Sequence, residues 1–137
     1  DEQTRGERLR RVEYSPTASG LEALRSWLTE SHEEPSLRDP LLLQSLFFDM
    51  VDPVEAERVL NSAVSSLRRS IEQWEVHRTK LLARNTPLLI ERLARRPESD
   101  HRRISEIKAH VFDHLIESAQ LRIRWAERMI EIVNSGS

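Results

Sequence analysis

Cysteine is missing from all 137 residues, so this chain can build no disulfide framework, thiolate nucleophile or zinc-thiolate centre. Glycine is almost as scarce. Gly6, Gly20 and Gly136 are the only three, against an average usage of about 7%. The interior therefore has almost none of the tight turns that glycine makes, which argues against a sandwich or barrel of many short hairpins. Aromatic residues amount to 5%, and no apolar run exceeds three residues, as in Leu41 to Leu43, Leu46 to Phe48 and Leu88 to Ile90. No segment reads as a transmembrane span.

An excess of one charge sign is also lacking. Lysine and arginine number 21 and the acids 23, for a net charge of −2, with 32% of residues charged and 38% hydrophobic. That balance excludes a surface dressed throughout for nucleic acid and leaves room for local basic patches. The opening DEQTRGERLRRVEYSP has no apolar stretch of the secretory kind. A cysteine-free composition suits a reducing compartment, so the cytoplasm is the expected location. The chain starts on Asp1 rather than methionine, and we expect it to be a fragment of a longer protein. Its length suits one domain with one core.

Leu9, Val12 and Tyr14 alternate imperfectly with Arg8, Arg10 and Glu13, which predicts a short strand over 9–14. Thr17 follows Pro16 as a helix cap, and Leu21, Leu24, Trp27 and Leu28 predict a helix from Ala18 to Glu30 with one apolar face. Ser31 to Ser36 is a polar break containing Pro35. Asp39 before Pro40, and Asp52 before Pro53, each read as an N-cap followed by proline at the first helical position. The first opens a helix over 40–51. It is apolar on several sides through Leu41, Leu42, Leu43, Leu46, Phe47 and Phe48, and burial of each would contribute roughly 1.5 to 3 kcal/mol before entropy is subtracted. It is therefore expected to form the centre of a core.

The second opens a helix over 53–84 with a seam at Leu60, Val64, Leu67, Ile71, Trp74 and Leu81, interrupted by Arg78. The alternating spacing of four and three is that of a coiled coil. Asn85, Thr86 and Pro87 break it, a short helical piece runs over 88–96 up to Pro97, and a last helix is predicted over 99–133. The expected fold is all-α, with two long antiparallel helices forming a dimerisation domain. Each helix would reach about 45 Å, more than the roughly 30 Å diameter of so small a globule. The wide apolar stripe of the last helix and the face of the first then call for a second copy. The homodimer contacts are expected at Leu21, Leu24, Leu28, Trp125 and Met129.

The run Tyr14, Thr17, Gly20, Leu24, Trp27, Leu28 followed by Glu33, Glu34 and Pro35, and then Arg38, Asp39, Leu41, Leu42, Leu43, Phe47, Phe48 and Asp49, resembles the PadR family of transcriptional regulators. Trp125 and Glu127 fit that pattern more loosely. The class with a long, virulence-activator-type C-terminal region is the one it is similar to. The resemblance implies a DNA-binding regulator in which an N-terminal winged helix reads operator DNA while the C-terminal helices dimerise and, in some members, sense an effector. On that view residues 1–16 are the remnant of the wing and residues 17–137 the helical dimerisation and effector domain. The helix-turn-helix that reads DNA is absent from this sequence, so operator binding would pass through an N-terminal winged helix missing here.

Arg5, Arg8, Arg10 and Arg11 are candidates for contact with the DNA backbone, diluted by Glu2, Glu7 and Glu13. Arg92, Arg95, Arg96, Arg102 and Arg103 give net +3 over residues 92–103 and read as a solvated bend. His110 and His114 stand four apart, where two imidazoles share a helix face, but Val111 occupies the place of a zinc protease's glutamate; no metal or other cofactor is expected. Trp74, with His77, His110 and His114, is the candidate lining of a pocket for a small aromatic effector. Ser45, Ser62 and Ser66 have no elbow to expose a nucleophile, and no glycine-rich loop could cradle phosphate, so an enzyme is not expected. The alternative reading is a helical adaptor or scaffold that binds a protein partner without DNA.

Overall fold

The computed structural model describes residues 17–35 and 38–136, and no strand occurs among them. The strand expected over 9–14 lies outside the described residues, as do Arg5, Arg8, Arg10 and Arg11. The chain divides into two compact units, Asp1–Arg38 and Asp39–Ser137.

The first unit contains helix α1, Ala18–Thr29. The Thr17 hydroxyl accepts the Gly20 N–H at 3.0 Å, which satisfies one of the amides a helix start leaves unpaired. No residue of α1 is buried. Leu24, Trp27 and Leu28 are 50%, 58% and 62% exposed, although their spacing sets them on one face. The Trp27 ring lies 4.7 Å from the ring of His32.

The second unit holds α2 (Pro40–Ser45), a short 3-10 turn (Phe48–Met50), α3 (Pro53–Leu82), α4 (Pro87–Ala94), a second 3-10 turn (Glu98–Asp100) and α5 (His101–Asn134). Proline occupies the start of α2, α3 and α4, where its missing amide costs nothing. Asp39 and Thr86 cap α2 and α4 with their side chains, whereas Asp52 makes no side-chain bond to α3.

Helices α3 and α5 pack along their lengths through residues spaced three and four apart. Contacts between them join Glu57 with Asn134, Arg68 with Glu127, Arg78 with Asp113 and Leu81 with Ser105. Leu41, Leu60, Val64, Ile123 and Ala126 form one buried cluster, with Phe48, Leu67, Trp125 and Met129 partly buried around it. Leu81, Leu89, Leu93, Ile104 and Ala109 form another, flanked by Phe112. Ala56 and Ala126 have no exposed surface, and such small side chains let the helix backbones come close. Arg78, which breaks the apolar seam in the sequence, donates its Nε–H to Asp113 Oδ1 at 2.5 Å. A paired charge thus fills one position of the seam.

The segment over 40–51 departs from expectation. The α-helix ends at Ser45, and Phe47 leaves helical geometry at φ −115°, ψ 17°. Only Leu41 is buried, while Leu42, Leu43, Leu46 and Phe47 are exposed. The segment is the lid of one cluster rather than the centre of a core. A six-residue helix can turn only one side toward α3 and α5, so its remaining apolar residues face outward.

Helix α3 ends in a Schellman turn. Arg84 adopts φ +58°, its N–H donates to the Leu81 carbonyl at 3.1 Å, and the Asn85 N–H donates to the Lys80 carbonyl at 3.1 Å. Those are the two bonds that define the motif. The Leu81 carbonyl also accepts the buried Ser105 hydroxyl at 2.6 Å, which ties the end of α3 to α5.

Candidate functional site

A cavity of about 870 Å³ opens beside this turn. Helix α3 supplies His77, Lys80 and Leu81; the turn and the start of α4 supply Asn85, Thr86, Pro87, Leu88 and Leu89; α5 supplies Lys108, Val111 and Phe112. The periodicity explains the grouping, because His77 and Lys80 are three apart, and Lys108, Val111 and Phe112 are three and four apart, each set on one helix face. The Thr86 hydroxyl accepts the Leu89 N–H at 3.3 Å, which fixes where α4 begins and holds Leu89 inward, 2% exposed. The rings of His77 and Phe112 meet edge to face at 4.9 Å, the arrangement favoured by the aromatic quadrupole.

Of the four residues named from the sequence for an effector pocket, His77 lines this cavity. Trp74 is half-buried one turn earlier on α3. His110 is exposed, with Nδ1 2.8 Å from Asp113 Oδ2, and His114 Nε2 lies 3.4 Å from the Ser118 hydroxyl. The hydrogen bond from His110, and next that from Arg78, hold the Asp113 carboxyl below the usual carboxylate range. Those two histidines therefore serve the α5 surface and its link to α3. Lys80 and Lys108 carry no motif, and composition offers one signal for them: they are the only lysines among 21 lysine and arginine residues.

A second, apolar groove of about 370 Å³ is lined by Leu42, Leu43, Ser45, Leu46, Trp125 and Met129. Trp125 and Met129, named from the sequence as dimer contacts, meet here with the outward residues of α2. Leu21, Leu24 and Leu28 lie on the uncovered face of α1 in the other unit. The groove is anchored by Asp39. Its Oδ1 accepts the Leu41 and Leu42 N–H groups at 3.1 and 3.4 Å and Arg122 Nη2 at 2.6 Å, and its Oδ2 accepts Arg122 Nη1. The bond from Arg122 chiefly holds the Asp39 carboxyl below its ordinary value.

The basic residues around Pro97 are largely occupied. Arg95 pairs with Glu91, Arg96 with Asp100 and Arg102 with Glu106, while Arg103 lies 3.9 Å from Asp100. Such exposed pairs leave little uncompensated charge for an anion. No helix among the described residues is long and apolar enough to cross a membrane. Comparison with protein-family models and with curated proteins gives no match for the chain.

Proposed function

We propose that this chain is the dimerisation and effector-sensing region of a PadR-like transcriptional regulator. The family assignment rests on the residues quoted above from Tyr14 to Asp49. One structural observation carries the dimer: apolar side chains at regular helical spacing stand uncovered, Leu21, Leu24, Trp27 and Leu28 on α1 and Leu42, Leu43 and Leu46 beside Trp125 and Met129. Exposed apolar patches of this kind mark interaction surfaces, and a second copy of the chain supplies a matching one by symmetry. The ordered contacts from Glu57 with Asn134 to Leu81 with Ser105 support an antiparallel reading of α3 and α5.

In this reading the helical region sets the distance and angle between two winged helices over operator half-sites. An effector that binds one dimer geometry better than another shifts DNA affinity by the difference in its binding free energy. The test is DNA binding by the full-length gene product at several salt concentrations. Specific, salt-dependent binding is expected, and Arg8→Gln with Arg10→Gln should reduce the salt slope by about 0.9 for each phosphate that is no longer neutralised. No DNA binding, together with a different protein replacing the second copy on α1, would instead make the chain an adaptor.

A further inference from the structure

We propose that the end of the second unit where α3 turns into α4 is a docking surface for an acidic, amphipathic helix of a protein partner. The inference goes beyond both the dimer and the effector, and needs neither.

Charge is segregated along the chain. Residues 80–108 hold eight lysines and arginines against four acids, a net +4, while the other residues hold 13 against 19, a net −6. Arg95, Arg96 and Arg102 are compensated by the carboxylates they pair with. The excess rests mainly on Lys80, Arg84, Arg92 and Lys108, none of which forms an ion pair among the described residues. Unpaired cations from both long helices, the turn and α4, gathered at one end of an otherwise acidic chain, steer an acidic partner to that end.

The footprint is wider than the cavity. Lys80 and Lys108 line the cavity, Arg92 lines a neighbouring hollow, and Leu88, 81% exposed, borders both. A guest confined to the cavity would leave Arg84 and Arg92, which do not line it, unmet. A helix of a few turns, at about 5.4 Å each, reaches across the whole patch. Its apolar face also has somewhere to lie. Leu81 and Leu89 are buried and Phe112 half-buried in the cavity wall, and Leu88 and Val111 stand exposed on the rim. Two packed helices with apolar residues between them hold a third through its anchors at i, i+3, i+4 and i+7. A nucleic-acid backbone would satisfy the cations and leave that apolar surface wet, and a lipid surface would leave the recessed Leu81, Leu89 and Phe112 unused. This end is also clear of the groove at α2, because Leu81 lies about 30 Å along α3 from Leu60, which shares a cluster with Leu41.

The test is fluorescence anisotropy of labelled peptides of about 18 residues, five helical turns, titrated with the whole chain. One peptide has leucine along one helical face and glutamate elsewhere, the second has lysine in place of glutamate, and the third is a scramble of the first. The glutamate peptide should bind at micromolar concentration, with the other two at least about tenfold weaker. Lys80→Glu with Lys108→Glu should reverse the preference, so that the lysine peptide binds better than the glutamate one. Leu88→Ser should weaken the glutamate peptide by at least about threefold, and its exposure keeps the cost to the fold small. No binding of the glutamate peptide at about 100 μM, equal binding of the scramble, or an unchanged preference in the charge-reversed variant would each overturn the proposal. The three-peptide comparison uses the unaltered chain and decides the matter even if a variant misfolds. A chain that ignores the peptide and sediments with phosphatidylglycerol vesicles, or shifts a random DNA duplex, would assign the patch to lipid or nucleic acid instead. Light scattering separates this surface from the dimer: a peptide that splits a dimer into single chains would lie on the dimer face and overturn the assignment, whereas a monomeric chain that binds the peptide would refute the dimer alone.

Discussion

Replacing Asp39 by alanine removes a helix cap and a cross-link in one step. The carboxylate accepts from two amides at the start of α2 and from both terminal guanidinium nitrogens of Arg122, 83 positions later on α5. A side-chain N-cap contributes about 1 kcal/mol. The bidentate bond joins side chains that are 22% and 33% exposed, so solvent screening reduces a charge-assisted bond to about 1 to 2 kcal/mol. The expected loss is about 2 to 3 kcal/mol, or a fall in melting temperature of about 10 °C for a domain of this size. Asp39→Asn, which keeps a capping oxygen and discards the charge, should lose about half as much. The pH dependence follows from the lowered pKa of Asp39. The pair's contribution is fully present above the ordinary value of 3.8 and is lost as pH falls through the lower folded value. Thermal melts followed by far-ultraviolet circular dichroism should therefore show the wild type and Asp39→Ala converging as pH drops below that value. A shift under about 2 °C at neutral pH, or no coupling in a double-mutant cycle with Arg122→Ala, would refute the reasoning.

Two further substitutions test the α3–α5 junction. Arg84→Gly should raise stability by about 0.5 to 1 kcal/mol in denaturant unfolding, because a left-handed φ of +58° strains arginine and suits glycine, with part of the gain offset by the entropy of the unfolded chain. Ser105→Ala should cost about 1 kcal/mol in the same assay by removing the 2.6 Å bond to the Leu81 carbonyl. A neutral outcome would mean that the Arg84 amide alone satisfies that carbonyl.

The helix starts were legible because their signals are local. Thr17, Asp39 before Pro40 and Asp52 before Pro53 place the starts of α1 to α3, whereas Thr86 and Pro87, expected as part of a break, are the cap and first residue of α4; the seam through Leu60, Val64 and Leu81 turns inward as its spacing requires. The fate of the apolar residues over 42–47 was not legible, since an apolar pattern says that a surface needs cover without saying what covers it. The cavity escaped for a different reason. Lys80 and Lys108 are 28 positions apart in the sequence and line one cavity because the turn at Arg84 and the register of α3 on α5 place them there. His110 and His114 stood out by spacing, yet they belong to a face of α5 outside the cavity. Helical spacing fixes which residues share a face; it does not fix which faces enclose a volume.

The central claim is that the uncovered apolar residues of α1 and of the groove at α2 are covered by a second copy. The most direct measurement is light scattering of the chain at micromolar concentration beside its Leu24→Glu variant. Leu24 is half exposed within one chain, so glutamate there costs the isolated fold little and would place a charge inside an apolar interface. The account predicts about twice the 16.0 kDa chain mass for the native protein, with the variant reduced to the mass of one chain and its helix content kept. A native chain that scatters as a monomer, or a variant that remains a dimer, would contradict it.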